Sequence, residues 1–286
     1  MKKLIFLTPV FNDWDNLNIL IQKIEKNIGK FNFLFELIIV NDCSSQIKKV
    51  KFNQKKICNI EILNLNENVG SQRAIALGLR FISEKFENHD RIIIIDSDGQ
   101  DNPKIIPEII NISEKNPNEI ITINRIKRAE PLWFRVLYEL HYYSLIALTG
   151  KKIRFGNFSL LSVKNTKSFI QKGDLWGAYP AAVTNSFKNT LKIFKDRDKR
   201  YSGETKMNIS KLFIHSVRVF SVFKFKVLIF SLIYSFIFVL LSFFVEEFFF
   251  IFLYFFIILN FVTFFVSKDY KKDFDNFFYQ IFDKDI

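Results

Sequence analysis

The sequence predicts an α/β protein: an open, mostly parallel sheet flanked by helices, then an amphipathic helix and a two-helix transmembrane hairpin. Three observations carry that expectation. Short apolar, β-branched runs alternate with helix-period segments over the first part of the chain. Ile92 to Ile95 is apolar on both faces and too short for a helix, as a central parallel strand covered on both sides would be. Near the end, Val227 to Val245 and Phe248 to Val266 are uncharged apolar runs of about 19 residues each, close to the length that crosses a bilayer.

Leu4 to Leu7 reads as the first strand. The N-terminal MKKLIFLTPVFND resembles a leader peptide only until Pro9 and Asn12 interrupt its apolar run, so a strand is expected instead. Asp13 to Ile28 reads as a helix with Leu17, Leu20, Ile21 and Ile24 on one face. Phe35 to Val40 and Ile60 to Leu65 read as strands ending in Asn41-Asp42 and Asn66-Glu67-Asn68-Val69-Gly70. A helix over about Ser71 to Lys85 leads to the Ile92 strand, another over about Lys104 to Glu114 follows Pro103, and Glu119 to Ile123 is a fifth strand ending at Asn124-Arg125. Trp133, Phe134, Leu137, Tyr138 and Leu140 to Ile146 fit an apolar helix whose aromatics serve either core packing or lipid contact.

In open α/β sheets ligands sit beyond the carboxyl ends of the strands. Asp42, Asn68 to Gly70, Asp96 with Asp98, and Arg125 all fall there. Two carboxylates two residues apart at the end of an extended strand point to one side. They suit a hard cation such as Mg²⁺ or Mn²⁺ with vacancies for phosphate oxygens, although Asp, Ser, Gly and Asn also make ordinary turns. The dinucleotide fingerprint and the P-loop are both absent, which argues against a dehydrogenase or a P-loop kinase. The 286 residues carry a formal charge of +12. No nucleic-acid motif accompanies that charge, so anionic lipid and phosphorylated substrate are the expected partners. Two cysteines, Cys43 and Cys58, form no disulfide framework, and three histidines show no zinc spacing. Cys43 is expected to be a small buried filler, and Arg80 and Arg154 solvated surface charges.

Five segments in order resemble one family. They are Thr8-Pro9-Val10-Phe11-Asn12, Val40 to Ser45, Asn68-Val69-Gly70-Ser71-Gln72-Arg73-Ala74 with Gly78, Asp96-Ser97-Asp98-Gly99-Gln100-Asp101-Asn102-Pro103, and Arg200-Tyr201-Ser202-Gly203-Glu204-Thr205-Lys206. Together they resemble family 2 glycosyltransferases of the GT-A fold, particularly the dolichol-phosphate-mannose-synthase-like, polyprenyl-phosphate-using branch, over roughly residues 4 to 210. The resemblance implies that Asp42 holds the nucleotide base in a pocket lined by Pro9, with Gly70 and Arg73 also in the substrate site. It implies that Asp96 lies near the donor ribose and metal, that Asp98 and Gln100 bind the divalent ion, and that Arg125 and Arg135 meet the acceptor phosphate. Arg200 and Lys206 would neutralise phosphates near the membrane. Where many relatives carry a G-D-F-R-L-like run, this chain has Gly156-Asn157-Phe158-Ser159-Leu160, without the acid or the base. An ionised phosphate nucleophile needs no general base, so that loss need not abolish transfer, but the acceptor's identity is left open.

Met207 to Phe223 sets Ile209, Phe213, Val217 and Phe220 on one helical side and Asn208, Lys211, His215 and Arg218 on the other, as in a helix lying on a bilayer; packing on the sheet is the alternative. Lysines flank the outer ends of the two apolar runs, and Glu246-Glu247 separates them. The positive-inside rule then puts both ends in the cytoplasm; a single longer, bent helix is the other reading. The expected organisation is a catalytic domain over 1–206, a juxtamembrane helix over 207–226, a hairpin over 227–266 and a cytoplasmic tail over 267–286, to which no function is assigned. The expected activity is that of a metal-dependent inverting hexosyltransferase, multi-pass in the inner membrane with its catalytic domain cytoplasmic. It would use Mg²⁺ or Mn²⁺, a nucleotide sugar donor and a polyprenyl (undecaprenyl) phosphate acceptor, with self-association left open. A surface-glycan acceptor, or a non-catalytic sugar-nucleotide-binding membrane partner, are the other functions open to such a chain.

Overall fold

The computed structural model describes residues 2–29, 31–126, 132–203, 209–242 and 249–282. In chain order the elements are β1 (Lys3–Val10), α1 (Trp14–Asn27), β2 (Leu34–Asn41), β3 (Asn59–Asn64), α2 (Ser71–Lys85), β4 (Arg91–Ile94), α3 (Ile106–Lys115) and β5 (Ile121–Arg125). There follow α4 (Leu132–Thr149), β6 (Phe155–Ser162), α5 (Val163–Ile170), α6 (Tyr179–Ser186), β7 (Leu191–Lys195), α7 (Ile209–Val222), α8 (Lys224–Ser242), α9 (Phe249–Ser267) and α10 (Tyr270–Phe282). Single 3-10 turns sit at Pro103–Ile105 and Asp174–Trp176.

The strands form one sheet in the order β3-β2-β1-β4-β6-β5-β7. β1, β2, β3 and β4 run parallel, with Pro9 opposite Val40 and Leu7 opposite Ile94. β6 runs antiparallel to both neighbours, with Ser159 opposite Ile94 on one side and Thr122 on the other. The expected mostly parallel sheet is therefore present, and its reversed strand has a consequence for the site. The beginning of β6, not its end, lies beside the carboxyl ends of β4 and β5, which brings Gly156 and Asn157 to the ligand edge.

Alternating side chains divide the core in two. Leu4, Phe6, Leu37, Ile39, Ile93 and Ile95 pack with Leu17, Leu20, Ile21 and Ile24 of α1 and with Ile109 and Ile110 of α3. Ile5, Leu7, Ile38, Val40, Ile92 and Ile94 pack on the other face against α2, Trp176, Tyr179 and, from the far end of the chain, Tyr270, Phe274 and Phe278. Gly78 is the close-approach point of α2: a Cβ there would lie 2.5 Å from a Leu7 methyl and 2.9 Å from one of Val40.

α8 and α9 are both long and apolar enough to cross a membrane, and most of their apolar surface is exposed. Ring contacts pair Phe225 with Phe264, Tyr234 with Phe256 and Phe238 with Phe252, a register in which the two helices run antiparallel as a hairpin. The expected acidic turn, Glu246-Glu247, lies outside the described residues.

Candidate functional site

The centre of the sheet edge is acidic. β4 ends its ladder at Ile94, and Gly99, at φ 86°, turns the chain so that the loop folds back on itself. Asp101 accepts a hydrogen bond from the Asp96 backbone N–H (3.2 Å), and Asp98 accepts one from that of Gln100 (3.0 Å). The Asp96 Oδ1 accepts from the Asn157 side-chain amide at 2.9 Å. Burial first, then the neighbouring Asp101 and Asp98 carboxylates, push the Asp96 carboxyl well above the ordinary carboxylate range. Burial likewise raises Asp101, against the pull of Arg125 and Arg197. The loop thus holds more negative charge than its own contacts neutralise.

Cations ring this loop. Arg200 bridges two strand ends, donating one Nη to Asp98 (2.9 Å) and the other to Asp13 (2.7 Å). The segment around it lies over the acidic loop. The Tyr201 N–H donates to the Asp98 carbonyl (3.1 Å), the Asp198 N–H donates to that of Gln100 (3.0 Å), and Ser202 exchanges hydrogen bonds with Asn16. The Tyr201 ring covers Gly99 so closely that a Cβ on the glycine would lie 2.5 Å from it. Arg125 ends β5 with its guanidinium against Gly156, where an added Cβ would lie 2.5 Å from an Nη. A small cavity under the loop is lined by Gln100, Asp101, Arg125, Phe158, Lys195 and Arg197.

A second cluster lies at the ends of β1 and β2. Asp42 is buried, and its two carboxylate oxygens accept the backbone N–H groups of Val69 (2.7 Å) and Gly70 (3.0 Å). Burial raises its pKa and those two bonds lower it. Gly70, at φ 87°, begins α2. Asn12 accepts from the N–H and hydroxyl of Ser45, lacing the β1 and β2 ends together, and Pro9 is buried on β1 beside them. Asn12 (φ 50°) and Cys43 (φ 58°) are non-glycine residues with positive φ, a conformation that β-carbons disfavour and that ligand-binding loops retain. α2 then joins the two clusters: Gln72 donates to Asn157 Oδ1 (2.7 Å) and accepts from the Tyr179 N–H (2.9 Å).

Of the residues singled out from the sequence, Pro9, Asp42, Gly70, Asp96, Asp98, Gln100, Arg125 and Arg200 gather at this edge. Arg73, in the first turn of α2, points at Trp176, donating Nε to its carbonyl at 3.3 Å. Arg135 is exposed on α4, and no hydrogen bond or ion pair joins it to the cluster among the described residues. Lys206 lies outside the described residues. Arg80 differs from expectation: it is largely buried, paired with Glu84 and Asp275 and stacked on Phe278 of α10 (4.2 Å). Arg154 is likewise paired, with Glu139, and lies over the Tyr142 ring. Asp13, Asn16, Gln72 and Asp101 are site residues that sequence reasoning did not single out. Gln72 and Asp101 sat inside quoted segments, but only the folded contacts give them partners.

Among the described residues no three carboxylate, imidazole or thiolate side chains converge as a ready-made metal cage. The donors at hand are oxygens: Asp98, with a neighbouring Gln100, in a loop of surplus negative charge. That set suits an ion that takes one or two protein ligands and completes its shell with substrate phosphates and water.

Residues 5–183 match the family model described as Glycosyl transferase family 2. The chain is 27% identical over 218 residues to an uncharacterized glycosyltransferase of Synechocystis, covering 73% of this chain and 66% of that protein. It is 25% identical over 221 residues to the undecaprenyl-phosphate 4-deoxy-4-formamido-L-arabinose transferase of Yersinia enterocolitica, covering 74% of this chain and 64% of that one. The chain thus spans just under two thirds of the length of these curated relatives. Among solved structures, glucosyl-3-phosphoglycerate synthase of Mycobacterium tuberculosis, in complex with Mn²⁺, UDP-glucose and phosphoglyceric acid, superposes with a TM-score of 0.54 at 12% identity, covering 79% of this chain and 80% of that one. This last likeness is one of fold, the GT-A arrangement that the sequence segments imply.

Proposed function

The chain belongs to glycosyl transferase family 2, and from that premise we propose that it transfers a sugar, with inversion, from a nucleoside diphosphate to a polyprenyl phosphate such as undecaprenyl phosphate. The transfer takes place on the cytoplasmic face of the inner membrane, which α8 and α9 cross as a hairpin. The observation that carries this reading is the charge layout: an acidic strand end ringed by arginines, in a chain that also holds two exposed apolar helices. Donor diphosphate and lipid phosphate are both anionic, and bringing them together needs cations between them.

Asp42, flanked by Pro9, receives the nucleotide base; each carboxylate oxygen that accepts a backbone N–H keeps a further lone pair for a base N–H. Gly70 lets the backbone approach the ligand closely, and Asp96 orients the ribose from just past the end of β4. Asp98 and Gln100 would hold Mg²⁺ or Mn²⁺, which would supply stabilisation of the charge on the leaving nucleoside diphosphate. Arg200 exchanges its hold on Asp98 for a substrate phosphate, with Lys206 nearby in sequence, and Arg125 and Arg135 set the acceptor phosphate in line with the anomeric carbon. The Asn157 amide, bonded to both Gln72 and Asp96, is no proton acceptor. That favours an acceptor already ionised, a phosphate, over a sugar hydroxyl.

The test is transfer of labelled sugar in membranes from a panel of UDP- and GDP-sugars, with undecaprenyl phosphate and Mn²⁺ or Mg²⁺ present or omitted. Label should enter a lipid fraction only with metal and acceptor, and Asp98→Asn should abolish it. Donor binding with no lipid product under any condition would overturn the reading.

A further inference from the structure

Tyr179 reaches Asn157 by two separate routes. It is the first residue of α6 and is fully buried. Its backbone N–H, which a helix start leaves without an intrahelical partner, donates to the Gln72 side-chain oxygen at 2.9 Å. Gln72 donates in turn to Asn157 Oδ1 (2.7 Å), and Asn157 donates to Asp96 Oδ1 (2.9 Å). On the second route the Tyr179 hydroxyl lies 2.6 Å from Ser159 Oγ, and Ser159 donates to the Asn157 backbone carbonyl at 2.9 Å. A serine has one hydroxyl proton to give, so the tyrosine hydroxyl is the donor to Ser159. Side chain and backbone of Asn157 are thus both held from one residue.

The direction of the first route is fixed at its start. A backbone N–H can only donate, so the Gln72 oxygen faces Tyr179 and its amide nitrogen faces Asn157. Asn157 must then turn its oxygen to Gln72 and its nitrogen to Asp96. Side-chain amides are nearly symmetric in shape, and without that N–H the pair could run either way. The N–H is itself held in place. Gly177, just before it, is packed so closely that an added Cβ would lie 2.8 Å from both the Tyr270 ring and a Val222 methyl. The Ser221 and Tyr270 hydroxyls, from α7 and α10, meet beside this contact at 2.6 Å. At the other end, Gln72 sits in the first turn of α2, whose preceding Gly70 donates its N–H to Asp42. One turn therefore serves both polar clusters of the sheet edge.

We propose that Gln72 is a positioning residue of the donor site: directed by the Tyr179 N–H, it holds Asn157 as a hydrogen-bond donor to Asp96 and leaves the second Asp96 oxygen to the nucleotide sugar. This deepens the reading of the chain as a nucleotide-sugar glycosyltransferase and rests on it. A reversed Asn157 amide sets its oxygen against an Asp96 oxygen, two acceptors with no proton between them, and drives the Asp96 side chain out of place.

The experiment is equilibrium binding of labelled UDP and of labelled GDP, each with Mn²⁺, to the full chain in non-ionic detergent. Wild type, Gln72→Glu and Gln72→Met are compared, with a melting curve for each. Glutamate keeps the shape of glutamine and the bond from Tyr179, but it only accepts, so Asn157 must reverse to meet it. Methionine has similar length and imposes no direction on Asn157. Gln72→Glu should lose about tenfold or more in nucleotide affinity, the size of one charge-assisted hydrogen bond, and Gln72→Met should lose less. A residue that merely packs gives the opposite order, with glutamate the milder change in both melting temperature and binding, and that result overturns the proposal. Asn157→Ala separates direction from charge. With no amide to reverse, adding Gln72→Glu in that background should change affinity by less than about twofold. An undiminished loss there means that the new carboxylate acts directly, and it too overturns the proposal. The wider reading fails separately. The expected order of affinities, with no lipid product in the transfer assay, leaves the role of Gln72 and removes the lipid-phosphate reaction. Wild-type protein that binds neither nucleotide overturns both.

Discussion

Asn157 joins two side chains from different elements, accepting from Gln72 at 2.7 Å and donating to Asp96 at 2.9 Å. Placing an acid at this position exchanges the donor for a carboxylate beside a half-buried carboxyl that its surroundings already disfavour as an anion. Asn157→Asp should therefore destabilise the metal-free protein by roughly 1–3 kcal/mol, the cost of an unsatisfied buried partner, and should lower transfer. A thermal shift and kcat/KM together check this, and a gain in kcat/KM would show that a base at 157 is useful after all. Gly156 is the other telling position, because Arg125 fills the space a Cβ would need. Gly156→Ala should leave the fold intact, shift Arg125 and reduce kcat by about tenfold or more, within the range that a small misplacement can cost. At this scale the sequence was informative where charge and strand end coincide, as at Asp42, Asp96 and Asp98. It could not supply the Asp13–Arg200–Asp98 bridge, in which Arg200 reaches a partner 187 residues away.

At the scale of elements, strands and helices up to residue 125 were legible because the helices carry one apolar face at helical period and the strands are short apolar runs, the central ones buried on both faces. β6 was not: Phe155–Ser162 carries glycine, asparagine and serines, and its partners are set by an antiparallel return that local pattern does not encode. β7 is a short edge strand, LKIFK, with only its central isoleucine buried. α7 was legible as amphipathic, but which side faces the protein was not. His215 tests that orientation through pH. Its imidazole, ordinarily near 6.5, is pushed down to about 4 by burial, with His141 and Arg218 adding like charge. Between those values the unfolded chain holds a proton that the folded chain does not, so stability rises with pH across the window. The contribution is complete above about 6.5 and is lost as pH falls towards about 4. Melting curves across this interval should show the slope, and His215→Gln should flatten it; an unchanged slope would mean that His215 is solvated.

At the scale of the whole molecule, the proposed division at residue 206 separates what the core unites. Tyr270, Phe274 and Phe278 of α10 belong to the same buried cluster as Ile5, Leu7 and Trp176, and Arg80 stacks on Phe278 while pairing with Asp275. The tail is the second cover of the catalytic layer, reached only after the chain has passed through both apolar helices. Each of those three rings contributes about 1.5–3 kcal/mol by burial, so losing all of them removes roughly 5 kcal/mol or more, comparable to the whole stability of many domains. A fragment of residues 1–206 should thus lack a cooperative melt and be cut rapidly by protease under conditions where the full chain in detergent resists. Phe274→Ala in the full chain should reproduce part of that loss, about 3–5 kcal/mol for a buried phenylalanine, and leave donor binding at the far edge of the sheet intact. A soluble 1–206 fragment that melts cooperatively at the full chain's temperature would instead make α10 an ornament of the surface. It would restore the boundary at 206 as a true domain edge, with the membrane segment a mere anchor. If the fragment collapses as expected, the membrane helices and the catalytic sheet fold as one unit. Packed contacts on both sides of the apolar helices in sequence would then tie the hairpin to the sheet.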